Sequence, residues 1–272
     1  MSTADQIMLN GTLCGDANKA TWMYNNYVYA AVNTVEHRPL YLDSHLTYAA
    51  ATYRKLYNVE LDYDVRTIRR EIEQLLATNR MPKTGNIVHI YFMPSSDLRS
   101  HDRIVACERS TIYRGYDLIS IRPNVVLTNY EIPFSGHRTS ISLTSAKYMQ
   151  SFAVRSGSHA AIRINRSEQV ISCGEYPIGF VKNGTLYMPS APDLAPQCVE
   201  RDLLLRLCNL AEVPTAERII TAEEIAGADE ILIFDGAGLQ SVLCWGSHYF
   251  YNTIAMRLER YIHQLNSEGL LK

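Results

Sequence analysis

Lysine is scarce in this chain. Six occur in 272 residues against 20 arginines, so chemistry that needs a primary amine has few candidates. The six cysteines (Cys14, Cys107, Cys173, Cys198, Cys208, Cys244) form no CxxC pair, and the eight histidines make no ligand cluster with them. That spacing argues against a zinc site and against a disulfide scaffold. No run of about 18 apolar residues is present, so no membrane-spanning helix is expected, nor a secretory leader. Charge is balanced, at −2 with eight neutral histidines, and this gives no basic face for nucleic acid. There are no internal repeats and no low-complexity tract. A reduced, cytoplasmic protein is the simplest expectation.

Hydrophobic content of 47% and charged content of 20% suit a globular chain with a sizeable core. Tyrosine is abundant at 18 residues and clusters at Tyr24, Tyr27 and Tyr29. The length allows one large or two medium domains. Residues 20–44 read as two strands broken at Glu36-His37-Arg38-Pro39. Asp43 or Ser44 can cap a helix over about 45–57. Asp64 opens an amphipathic helix with Val65, Ile68, Ile72, Leu75 and Leu76 on one face. Strands are expected at 86–93, 103–109 and 118–122. This is the pattern of an α+β domain, residues 1–118.

Prolines at 123 and 133, with Ser135-Gly136, mark an irregular stretch. Residues 119–135 are therefore the expected connection between domains. The larger domain, 136–272, begins with a short helix over 146–155. Strands follow at 160–165, 170–173, 178–182 and 185–187, the last two joined by an Asn183-Gly184 hairpin turn. A helix over 200–210 comes next, and Thr221 with Glu224 forms a capping box for another. A buried strand at 230–234 and a final helix over 249–265 complete an α/β domain.

Several stretches fall in an ordered pattern. Tyr24-Asn25-Asn26-Tyr27 leads to Tyr29-Ala30, and His45-Leu46-Thr47-Tyr48-Ala49 follows. Cys198-Val199-Glu200-Arg201 opens a helix, and Ala228-Asp229-Glu230 precedes a strand. Together they resemble the class IV aminotransferases, the pyridoxal-phosphate (PLP) enzymes that include branched-chain and D-amino-acid aminotransferases and aminodeoxychorismate lyase. The resemblance spans residues 8–260. It implies a two-domain class IV PLP-enzyme-like fold, mixed α/β and α+β, with the site in the interdomain cleft. It also implies a homodimer.

The same resemblance implies a degenerate cofactor site. Tyr48 stands where the family has a phosphate-binding arginine. Glu200 replaces a threonine that offers its hydroxyl to the phosphate at a helix N-terminus. Gly236 falls where a second phosphate-binding hydroxyl is expected, with Asp235 beside it. Anchoring the family's Lys-x-x-Asn-Tyr segment on Tyr148 puts Thr144 at the cofactor-linking position, and threonine has no amine. Lys147 lies three residues on, the only lysine between Lys83 and Lys182. The glutamate that pairs with the pyridine nitrogen maps near Ser172, with Glu175 close by.

Each of these positions has a plainer alternative. Lys147 is either the catalytic amine or a solvated lysine in the first turn of a helix. Glu200 is a new acid/base group or a charge favoured by the helix dipole. Arg201 is an anion binder or half of a helix ion pair. Tyr24, Tyr29 and Tyr48 line a cleft or fill a core. The expectation is a pseudoenzyme-like homologue that has lost PLP and binds or converts another small molecule. The alternative is an active PLP-dependent aminotransferase or aminodeoxychorismate-lyase-like enzyme using Lys147. No metal, nucleic acid or membrane partner is expected.

Overall fold

The computed structural model describes residues 6–15, 25–111, 113–190 and 194–271. Tyr24 and the start of the strand expected from residue 20 lie outside the described residues. The chain divides into two compact units: Met1–Tyr116 with Arg138–Ser140 and Asn266–Lys272, and Asp117–His137 with Ile141–Leu265.

In the first unit, β1 (Gln6–Leu9), β2 (Thr12–Gly15), β3 (Val28–Val35), β4 (Arg38–Pro39), β5 (Asn86–Pro94) and β6 (His101–Ser110) form one sheet. Its order is β2-β1-β6-β5-β3-β4, with every neighbour antiparallel. Side chains alternate across a strand, so each strand serves two faces. Val28, Ala30, Val32, Val88, Ile90 and Phe92 face one core. Tyr29, His89 and Tyr91 alternate with them and make an aromatic group, with Tyr27–Tyr91 centroids 5.0 Å apart. The core is closed by α1 (Leu42–Tyr57) through Leu42, Leu46, Ala49 and Tyr53, and by α2 (Val65–Thr78) through Ile68, Ile72, Leu75 and Leu76. Asp64 caps α2 by accepting from the Arg66 and Thr67 N–H groups, as its sequence position predicts. Helix α1 starts three residues before the expected 45, from a left-handed Tyr41. Beneath α2, Glu71 and Arg103 form a two-point ion pair at 3.1 and 2.5 Å.

The second unit holds β7 (Asp117–Leu118), β8 (Asn124–Thr128), most of α3 (Ser140–Arg155), β9 (Ala160–Ile164), β10 (Val170–Cys173), β11 (Ile178–Lys182), β12 (Thr185–Pro189), α4 (Val199–Leu210) and β13 (Thr215–Arg218). A 3₁₀ turn at Ala222–Gly227, β14 (Glu230–Phe234), β15 (Gly238–Ser241), β16 (Cys244–Trp245), β17 (His248–Tyr249), α5 (Thr253–Glu259) and part of α6 (Ile262–Leu271) follow. One sheet runs β13-β12-β11-β14-β15-β7 and the other β10-β9-β8-β16-β17. A core of Val125, Ile162, Phe180, Ile231 and Ile233 draws on both. On the other face of β9, Ala161 packs with Met149 and Ala153 of α3 and with Ile132.

Several expectations are corrected here. The stretch 123–137, expected to be irregular, is not so throughout, because β8 lies inside it; Val125, Val126 and Leu127 pair in parallel with β9 and outweigh the flanking prolines. The strand expected at 118–122 stops at Leu118. Helix α3 begins at Ser140 instead of 146. The final helix is two helices, α5 and α6, and Tyr249 belongs to a strand. The Thr221 capping box is present, but it opens a 3₁₀ turn. Glu230, buried at the start of β14, accepts from the Ile254 and Ala255 N–H groups and so anchors α5. Arg122 Nη2 donates to the carbonyls of Val242, Phe250 and Tyr251 at 2.7–2.9 Å.

Candidate functional site

The second unit contains a cavity of about 420 Å³. One wall is the segment between β8 and α3, through Tyr130, Ile132, Pro133 and Ser135. The other is the β9–β10 hairpin, through Arg163, Ile164 and Ile171, with Leu194 closing one side. Such a volume lies within the range of small-molecule pockets, about 300–1,000 Å³.

Arg163 is the unusual member. It is only 3% exposed. Its position on β9 follows from strand alternation: Ile162 faces the core, and Arg163, paired in register with Ser172, faces the opposite way. Arg163 Nε donates to Ser172 Oγ at 3.2 Å, and Nη2 donates to the Leu194 carbonyl at 3.0 Å. Ser172 in turn donates to the Gly174 carbonyl at 2.8 Å. Ser135 Oγ donates to the same Leu194 carbonyl at 3.0 Å. No carboxylate pairs with the Arg163 guanidinium among the described residues. Burial disfavours its charged form and lowers its pKa to about 10.

The residues singled out from sequence fall in both units. Tyr29 is buried on β3 and Tyr48 half-buried on α1, both in the first unit. Thr144 and Lys147 are exposed on α3, and Tyr148 is 69% exposed. Ser172 is fully buried and holds Arg163, while Glu175 lies in the turn after β10. Glu200 is wholly buried in the first turn of α4. Its neighbour Arg201 pairs with Glu217 at 2.6 Å, the plain alternative given above. Asp235 and Gly236 form the turn between β14 and β15. The Asp235 carboxylate accepts from the Ala237 and Gly238 N–H groups and from Gln240 Nε2 at 2.6–3.0 Å. Cys173 is buried near Asp235; burial first, and that carboxylate second, push its thiol up to about 12, so it is no ready nucleophile. Arg163 was not found from sequence, where Ala160–Asn165 reads only as a strand carrying two polar residues, Arg163 and Asn165. No group of metal-binding side chains occurs among the described residues. No helix there is long and apolar enough to cross a membrane.

Residues 28–241 match the family model for amino-transferase class IV. The chain belongs to the class IV aminotransferase family. Its fold is also that of solved class IV structures. A branched-chain aminotransferase from Thermoproteus uzoniensis, solved with norvaline, superposes with a TM-score of 0.81 at 16% identity, over 97% of this chain and 95% of that one. The Escherichia coli branched-chain amino acid aminotransferase gives 0.76 at 16% identity, over 98% and 96%. The T.th. branched-chain amino acid aminotransferase, complexed with N-(5'-phosphopyridoxyl)-L-glutamate, gives 0.78 at 14% identity, over 98% and 96%. No curated protein matches by sequence. At these identities the likeness fixes the class IV fold and not the activity.

Proposed function

We propose that this class IV family member has diverged away from ordinary PLP binding and binds or converts another small molecule. The observation that carries the reading is Glu200, a wholly buried carboxylate in the first turn of α4. By the resemblance, this is where the family presents a hydroxyl and backbone N–H groups to the cofactor's phosphate. A fixed carboxylate there repels a dianion and takes up the favourable end of the helix dipole itself.

Four further positions agree. Gly236 brings no hydroxyl. Tyr48 offers a neutral phenol in place of a guanidinium. Thr144 has no amine, and Lys147 stands exposed on α3. Each lost charge-assisted hydrogen bond weakens binding by about 1.5–3 kcal/mol. Every 1.4 kcal/mol is about tenfold, so the losses together amount to several orders of magnitude. The residues present do not suit the phosphate.

Family membership and the phosphopyridoxyl ligand of a solved relative favour a second reading, an active PLP-dependent aminotransferase or lyase using Lys147. An absorption spectrum of the purified protein, with and without added PLP, separates the two. The first reading expects no visible band that borohydride removes. A band present in wild type and absent from Lys147→Ala overturns it. The protein is further proposed to be cytoplasmic, from its scattered cysteines, and a homodimer, as the family resemblance implies; a monomer mass by light scattering at micromolar concentration refutes the dimer.

A further inference from the structure

We infer that the cavity at Arg163 is a binding site for a small monocarboxylate with an apolar body. The inference deepens the proposal that the chain takes a small molecule other than PLP. It rests on that proposal only for the ligand's role in the protein, because binding here and PLP content are read by different signals.

Burying Arg163 is costly. A guanidinium removed from water needs compensation, and compensation normally comes from a carboxylate. Among the described residues Arg163 has only a serine hydroxyl and a backbone carbonyl as partners, both neutral. Those two bonds use Nε and Nη2 and fix the plane of the group. Nη1 makes no hydrogen bond among the described residues, while Arg163 lines the cavity. The protein thus holds a rigid cation with donor capacity left over at the edge of a half-open cavity. Rigidity matters, because a donor already ordered loses little entropy when it binds an anion.

The remaining walls define the rest of the ligand. Ile132, Pro133, Ile164, Ile171 and the Tyr130 ring offer hydrocarbon and an aromatic face. Tyr130 is itself steadied by an edge contact with Phe152, centroids 6.1 Å apart. The acidic member of the lining, Glu131, is engaged by Arg166 at 2.7 Å. A phosphate dianion calls for several cationic or N–H partners. One guanidinium with two of its nitrogens engaged suits a single negative charge instead.

The test uses the whole protein and three acids, phenylacetate, benzoate and 4-methylpentanoate, each beside its amide. Inorganic phosphate serves as a third arm. Thermal shift and isothermal titration should show saturable binding of at least one acid, and none of its amide or of phosphate. Hydrogen–deuterium exchange should slow over residues 130–135 and 163–165 when that acid is present. Arg163→Gln should weaken its binding by at least about tenfold, the loss expected for one charge-assisted contact. The inference is overturned if no acid binds at millimolar concentration, if amide and acid bind alike, if phosphate competes, or if protection appears elsewhere. Should Arg163→Gln fail to fold, the acid–amide comparison and the exchange map on wild type still decide. None of these signals depends on a PLP band, so this inference and the lost-cofactor reading can fail separately.

Discussion

Glu71 is a buried carboxylate answered by one cation, Arg103, whose side chain is 15% exposed. Removing the cation strands a charge that cannot reach water. Arg103→Leu should therefore cost about 3–5 kcal/mol by urea denaturation, and adding Glu71→Leu should recover most of it. A smaller loss in the single variant would mean that Glu71 reaches solvent after all. Glu224 behaves differently. The Thr221 N–H and, less strongly, Arg218 hold its carboxyl below the usual range. Because its folded pKa is depressed, its contribution is present above the unfolded carboxylate value and lost as pH falls through the folded one. The stability difference between wild type and Glu224→Gln should shrink toward zero in acid, from under about 1 kcal/mol at neutral pH, since the pair is substantially exposed. The site shows the limit of reading residues one at a time. Ser172 was marked by resemblance, but the arginine it holds was not, since a strand's polar position does not disclose whether water or a buried cavity lies beyond it.

At the scale of elements, Gly238 decides whether β7 joins its sheet. It has a φ of +140°, and a Cβ there would lie 2.1 Å from the Asp117 carbonyl oxygen and 2.5 Å from its nitrogen. Backbone cannot retreat as a flexible side chain can. Gly238→Ala should cost about 2–4 kcal/mol in thermal unfolding, with faster amide exchange at Asp117 and Ile119. Local signals made some elements legible. Asp64 caps α2, and Asn183-Gly184 turns the β11–β12 hairpin, because both act within a few residues. Strand β8 was missed for the opposite reason. Its prolines are local and discouraging, while the pairing with β9 and β16 that makes it a strand is distant in sequence. The division of the last helix likewise has no marker in its sequence.

At the scale of the molecule, each unit has its own apolar cluster, one behind β3 and β5 and one around β11 and β14. Ile231 is wholly buried in the second. Ile231→Ala should cost about 2–5 kcal/mol by cavity formation. Hydrogen exchange should quicken first in β11, β14 and β15, with β5 and β6 less affected. Uniform acceleration through both units would show that they open together. The class IV character of the chain was legible from the order of its motifs, none of which is strong alone. What that order cannot convey is the chemistry of the interior, which depends on which side chains a sheet turns inward.

The three carbonyls gathered by Arg122 bear on the speed of folding. They lie 120 to 129 residues downstream of it, so the junction closes only after a long stretch of chain has found its place. Contacts of that span are formed late, on the native side of the barrier. Arg122→Met should therefore leave the refolding limb of a stopped-flow chevron nearly unchanged and raise the unfolding limb. A slowed refolding limb would place this arginine in the nucleus. If the unfolding limb moves, one guanidinium governs how long the native state persists rather than how quickly it is reached.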